Sequence, residues 1–220
     1  MPTHIKTTLT LSLLALSLNF GCGRNVQHYR PGERPPASIL QPLPANTSPE
    51  LKQVVAAAID QVGVTTAYDP SYVELNYPNG DVPQDRGVCS DVIVRAFRKG
   101  GVDLQKEVHE DMAQTWSAYS RKWGTGAPDA NIDHRRVLNL MVYFQRQGKD
   151  LPITNNASDY IPGDVVCWDL GRGLDHIGIV SNAWIAAQDR YLIVHNVGLG
   201  TRAEDVLFNW KITGHYRYFK

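Results

Sequence analysis

The sequence predicts an α+β domain in which helices at the front pack on one antiparallel sheet at the back. Two stretches, Leu51 to Val62 and Cys89 to Phe97, repeat apolar residues at helical spacing. The C-terminal quarter instead carries short runs rich in Val, Ile and Tyr, introduced by Pro162-Gly163-Asp164 and separated by turn residues. Helices followed by strands, rather than alternating with them, are the pattern of an α+β fold.

The chain opens with a different grammar. Lys6 precedes an apolar run from Leu9 to Leu18, followed by Asn19, Phe20, Gly21 and Cys22, so residues 1–21 read as an export signal. The run is shorter than the roughly 20 residues a membrane-spanning helix needs. Gly21 before Cys22 suits a lipoprotein signal with lipid on Cys22, although the expected leucine stands one place too far upstream, at Leu18. The alternative is an ordinary cleaved signal in which Cys22 is incidental. Either way the expected location is the cell envelope, periplasmic or anchored, with membrane contact only through that lipid.

Residues 22–46 contain Pro31, Pro35, Pro36, Pro42 and Pro44 and read as an extended tether. The domain is expected over 47–220. Ser48 and Pro49 open its first helix, which Gly63 ends. From Thr65 to Gly87, Tyr68-Asp69-Pro70, Tyr77-Pro78-Asn79-Gly80 and Pro83 predict a long loop, whose Tyr68, Tyr72 and Tyr77 are candidates to wall a cleft. A helix then runs from Cys89 to Lys99 and stops at Gly100-Gly101. Asp103 is expected to cap a helix towards Tyr119, and Asp133 another that reaches Gly148. Strands are expected at Val165–Trp168, His176–Ser181, Tyr191–His195 and His215–Phe219.

Composition narrows the function. Lys+Arg and Asp+Glu both total 22, so no global field draws nucleic acid or an anionic surface. After Cys22 only Cys89 and Cys167 remain, and no C-x-x-C or H-E-x-x-H spacing supports a metal; no cofactor is expected. A monomer is expected.

A thiol at a helix start feels unpaired backbone amides that favour its thiolate. Cys89 has that placement, although its spacing to Val92, Ile93, Ala96 and Phe97 also fits a buried face. A nucleophilic thiol needs a base, and the base an orienting partner. His176 opens one strand and His195 closes the next, so a hairpin would set both rings on one face. Alternation sends His195 and Asn196 to opposite faces, and periodicity leaves open which face borders a cleft.

The segments Val88-Cys89-Ser90-Asp91-Val92, Pro162-Gly163-Asp164-Val165-Val166 and His176-Ile177-Gly178-Ile179-Val180 resemble those of NlpC-type cell-wall peptidases. The resemblance implies a papain-like core, Cys89 as nucleophile, His176 as base and His195 as orienter, with peptidoglycan peptides as substrate. The family's usual Asp-Cys-Ser-Gly is here Val88-Cys89-Ser90-Asp91, a departure at the oxyanion neighbourhood. A closer resemblance is to the bacterial family known as domain of unknown function 1287, carried by Tyr68-Asp69-Pro70, Gly80-Asp81-Val82-Pro83, Gly87-Val88-Cys89, Val108-His109-Glu110-Asp111-Met112, Asn131 to Val137 and Gly214-His215-Tyr216-Arg217-Tyr218.

Tyr68, Asp91, His134 and Arg135 are candidate substrate-binding residues. A guanidinium in Asp133-His134-Arg135-Arg136 would pair with a substrate carboxylate, or else the segment braces its helix. Two rival readings stand beside the cysteine peptidase or amidase. One is a silent envelope module that binds peptide, with Cys89 and Cys167 in a disulfide. The other is a metal-dependent hydrolase using His109, Asp111, His134 and His176.

Overall fold

The computed structural model describes residues 32–119 and 126–219. The export signal, Cys22 and the first part of the tether lie outside them. Helix α1 (Pro49–Asp60) begins where Ser48 Oγ accepts from Leu51 N at 3.2 Å, with Pro49 in the first turn. The tether residues from 32 onward lie along the domain: Leu40 bridges Ala183, Gln41 N donates to Asn182 O at 2.8 Å, Arg34 pairs with Asp60, and Pro35 is buried.

A short parallel pair, β1 (Ala67–Tyr68) and β2 (Arg86–Gly87), closes the long loop before α2 (Cys89–Lys99) and α3 (Leu104–Gln114). Asp103 does not cap α3. Its carboxylate takes Arg98 Nη2 at 3.0 Å and Asn79 N at 2.8 Å, and α3 stops at Gln114 rather than reaching Tyr119 because Thr115 turns out of helical geometry. Asp133 likewise stands in a 3-10 turn, Asp133–Arg135, and α4 (Val137–Arg146) starts two residues later. The Asp133 carboxylate faces His109 Nδ1 at 2.9 Å and Asp129 N at 2.8 Å, which draws it away from the helix end.

The sheet holds β3 (Val165–Asp169), β4 (Asp175–Ile185), β5 (Arg190–Asn196), β6 (Thr201–Glu204) and β7 (Lys211–Tyr216) in the order β6-β5-β4-β3-β7, every pair antiparallel. The α+β expectation holds. The last strand, expected at His215–Phe219, is shifted towards the N-terminus because Tyr218 and Phe219 leave the ladder to pack on Phe97. Strand β6 had no counterpart in the sequence reading.

Alternation splits the sheet into two buried faces. Val165, Cys167, Ile177, Ile179, Leu192 and Val194 pack with α1, α2, α3 and α4 in the main core. Val166, Trp168, Val180 and Ile193 point the other way, under Tyr160, Val206 and Leu207. Burial on both sides explains why these strands read as near-continuous apolar runs instead of alternating with polar residues. Full burial of one such side chain contributes about 1.5–3 kcal/mol. Among the described residues no helix is long and apolar enough to cross a membrane.

Candidate functional site

The start of α2 is fixed from several sides. Asp91 Oδ2 reaches back to Val88 N at 2.7 Å, Ser90 Oγ donates to Arg135 O at 2.9 Å, and Gly87 lies so near that a Cβ there would meet Asp91 Oδ2 at 2.9 Å. Asn196, at the end of β5, donates to Ala67 O at 3.2 Å and Gly87 O at 3.0 Å. The sheet therefore holds the segment that delivers Cys89.

Cys89 is 4% exposed, and the Ile177 amide of β4 lies near enough to its sulfur to favour the thiolate. Burial pushes the thiol up to about 12, with a smaller push from the Asp91 carboxylate, against the pull of the Ile177, Ser90 and Cys89 amides. Amides do favour the thiolate, as the helix-start argument requires, but desolvation outweighs them.

One residue before Ile177, the His176 ring turns to the other face of the sheet and packs on Trp168 and Trp210, with centroids at 5.7 and 5.9 Å. Its Nε2 lies 2.8 Å from His195 Nδ1, and His195 Nε2 lies 3.0 Å from Glu204 Oε2. Burial, then the neighbouring His195, lowers His176 to about 3. Glu204 is held below the usual carboxylate range, first by its bond to His195. Gly178 makes the histidine pair possible, because a Cβ there would sit 2.6 Å from Ile193 Cγ2 and 3.2 Å from His195 Cβ. Cys89 and the histidine pair thus meet β4 at successive residues, Ile177 and His176, from opposite faces of the sheet. The resting thiol lies by a backbone amide, and the imidazole is bonded to a second ring.

A cavity of about 320 Å³ opens at Cys89, lined among others by Tyr68, Val88, Arg135, Arg136, Leu174 and Asp175. Tyr68 is where the sequence placed it, its hydroxyl pushed up to about 12 by burial and then by Cys89 and Asp91. Tyr72 and Tyr77 do not line this cavity; their hydroxyls lie on Asp129 (3.0 Å) and Glu110 (3.3 Å).

Asp91 and Arg135, expected to contact substrate, bond each other at 3.1 Å, and Arg135 also donates to Ser71 O at 2.8 Å and Asp69 O at 3.0 Å. A guanidinium so occupied braces the loop that carries Tyr68. Arg95 does the same from beneath, holding Asp81 and the Val82, Pro83 and Arg86 carbonyls. His134 is 1% exposed and absent from the cavity lining, and burial, then Arg135 and Arg98, lowers it to about 4. Arg136 lines the cavity in its place.

The four residues of the metal reading are dispersed. His109 is on Asp133, Asp111 on Arg146 at 2.7 Å, His176 on His195, and His134 has an unpartnered Nδ1. Among the described residues no three His, Cys, Asp or Glu side chains are placed to hold a metal ion. Cys89 and Cys167 are both free and buried, so the disulfide of the silent-module reading is not formed. Sequence reasoning missed Glu204, Leu174 and Asp175. The position of Asp175 immediately before His176 was the signal for the last of these.

Fold and site define an α+β protein with a buried helix-start thiol and a carboxylate-linked histidine pair. The family model described as "Domain of unknown function (DUF1287)" matches residues 55–218, and the chain belongs to that family. It is 49% identical over 210 residues to the Escherichia coli K12 protein described as "Uncharacterized protein YijF", covering 96% of this chain and 98% of that one.

Proposed function

We propose that this chain is a papain-like cysteine hydrolase of the NlpC type, cleaving amide bonds in peptidoglycan peptides in the cell envelope. The observation that carries the reading is the meeting of Cys89 with β4 at the residue after His176, at the mouth of a cavity, with His176 tied through His195 to Glu204. The cavity mixes apolar walls with Arg136 and Asp175, a lining suited to short peptides that bear both carboxylate and amino groups.

The chemistry needs no cofactor. Cys89 Sγ leaves the Ile177 amide, passes its proton to His176 Nδ1 and attacks the scissile carbonyl. Backbone amides at the α2 start receive the oxyanion. The imidazolium then protonates the departing amine, and water activated by the same ring hydrolyses the thioester. Thiol and imidazole are both neutral at rest, so proton transfer accompanies attack rather than preceding it.

The deep burial of Cys89 favours one second reading, an envelope module that binds peptide without cutting it. Purified muropeptides incubated with the protein and with Cys89→Ala, then read by mass spectrometry, separate the two. Hydrolysis is expected from the first and none from the folded variant. Bound but uncut muropeptides with the unaltered protein would establish the module instead.

A further inference from the structure

We infer that Glu204 is a positioning residue that fixes, through His195, which nitrogen of His176 is able to accept a proton. The observation is a three-member chain across three adjacent strands: Glu204 Oε2 to His195 Nε2 at 3.0 Å, and His195 Nδ1 to His176 Nε2 at 2.8 Å. Glu204 stands on the same face as His195, two residues beyond its cross-strand partner Arg202, within diagonal reach.

The hydrogen-bond roles follow from one end. An ionised carboxylate only accepts, so His195 Nε2 carries the hydrogen. Neutral His195 then has a lone pair on Nδ1, which accepts from His176 Nε2–H. Neutral His176 with its hydrogen on Nε2 has its lone pair on Nδ1. A glutamate on β6 thereby determines the basic atom of a ring on β4 that it does not touch.

The charged and titratable surroundings support the assignment. Arg202 Nε lies 3.5 Å from Glu204 Oε1, and the bond to His195 and the nearby Arg202 hold Glu204 ionised. His195 faces His176, Glu204 and the Trp210 ring; His176 faces His195, Trp168 and Trp210. No second carboxylate competes for either ring among these contacts. Were His195 to gain a second proton, both its nitrogens would donate, His176 Nε2 would have to accept, and Nδ1 would hold the hydrogen and lose its basicity.

The inference rests on the proposed hydrolysis only for its catalytic consequence, and the tautomers are measurable without it. Long-range proton–nitrogen correlation spectra of ¹⁵N-histidine-labelled protein near neutral pH are expected to show both His176 and His195 with hydrogen on Nε2. Glu204→Gln, whose amide both donates and accepts, should give mixed tautomers at both rings, and Glu204→Asp should restore the original pattern. If turnover is measured, Glu204→Gln should lower kcat about 10- to 100-fold with KM little changed and shift the acid limb of the pH profile. Hydrogen on His176 Nδ1 in the unaltered protein, or unchanged tautomers in Glu204→Gln, would overturn the inference. A protein that cuts no muropeptide but shows the expected spectra would sink the hydrolase reading and leave the relay standing.

Discussion

Two polar clusters sit on this sheet, and they end differently. At the β3–β7 side, His215 Nε2 lies 2.9 Å from Asp164 Oδ2, its Nδ1 lies 3.3 Å from Pro152 O, and Arg217 grips the same carboxylate through two bonds of 2.7 Å. Asp164 also accepts from Ile161 N at 3.0 Å. Both His215 nitrogens and both Asp164 oxygens have partners, so the cluster is a structural knot. At the β4–β5–β6 side, Glu204 and His195 lead to the His176 ring, whose second nitrogen has no hydrogen bond to this chain among the described residues. A buried histidine by itself points to no function. The open end of the second cluster is what the proposed chemistry uses.

Substitution should separate the clusters sharply. His176→Ala is expected to lower turnover about 10²- to 10⁴-fold, the usual share of a general base, while the fold survives because the Trp168 and Trp210 rings remain packed. Asp164→Ala should do the opposite. It leaves the buried His215 and the partly buried Arg217 without their carboxylate, at a cost of about 3–5 kcal/mol, while the folded fraction keeps its turnover per molecule. Denaturant midpoints and muropeptide turnover measured on both variants check the contrast; a large activity loss in folded Asp164→Ala would show that the two clusters are coupled.

Acid sharpens the same contrast. Burial lowers His176 to about 3 and His134 to about 4, whereas an exposed imidazole takes its proton near 6.5. Between those values the unfolded chain binds protons that the folded chain does not, so this stability is complete above about pH 6.5 and lost as pH falls towards 4 for His134 and towards 3 for His176. At pH 5 each ring should cost on the order of 2 kcal/mol relative to pH 7. Denaturation midpoints at the two pH values should fall less for His134→Gln than for the unaltered chain; an equal fall would remove His134 from the account.

Much of the candidate site's placement was legible from local chemistry. Cys89 sits where helical periodicity begins, and His176 and His195 border β-rich runs that are neighbouring strands of the sheet. Glu204 was not legible. Thr201-Arg202-Ala203-Glu204 is short and polar, and only its pairing with β5 makes it a strand. The roles of Asp91 and Arg135 were hidden for a related reason. Their pairing joins residues 44 positions apart, and a guanidinium offered to substrate reads the same in sequence as one that braces a loop. The caps assigned to Asp103 and Asp133 failed through competition, since nearby Arg98 and His109 offered those carboxylates stronger partners than helix amides. Ser48, with no such competitor, caps as expected.

The smallest expected effect concerns the neighbour of His195. Alternation puts Asn196 on the opposite face of β5, where its Nδ2 holds the Ala67 and Gly87 carbonyls and its Oδ1 accepts from Gly198 N at 3.2 Å. Asn196 therefore supports the backbone two residues before Cys89 and touches neither imidazole. Asn196→Ala takes one of two donors from the Gly87 carbonyl, which keeps Asp69 N at 3.1 Å, so the cost is about 0.5–1.5 kcal/mol. Turnover should drop only several-fold, because Asp91 still anchors Val88 N and keeps α2 starting at the same residue. His195→Ala, by contrast, removes the bridge between Glu204 and His176 and should lower turnover more than Asn196→Ala, though less than His176→Ala or Cys89→Ala, since water partly replaces an orienting group. Turnover of the four variants on one muropeptide, corrected for folded fraction, decides the order. If Asn196→Ala proves the more damaging of the adjacent pair, the polar group that serves His176 lies on the helix-facing side of β5, and the chain through His195 to Glu204 is structural like its counterpart at Asp164.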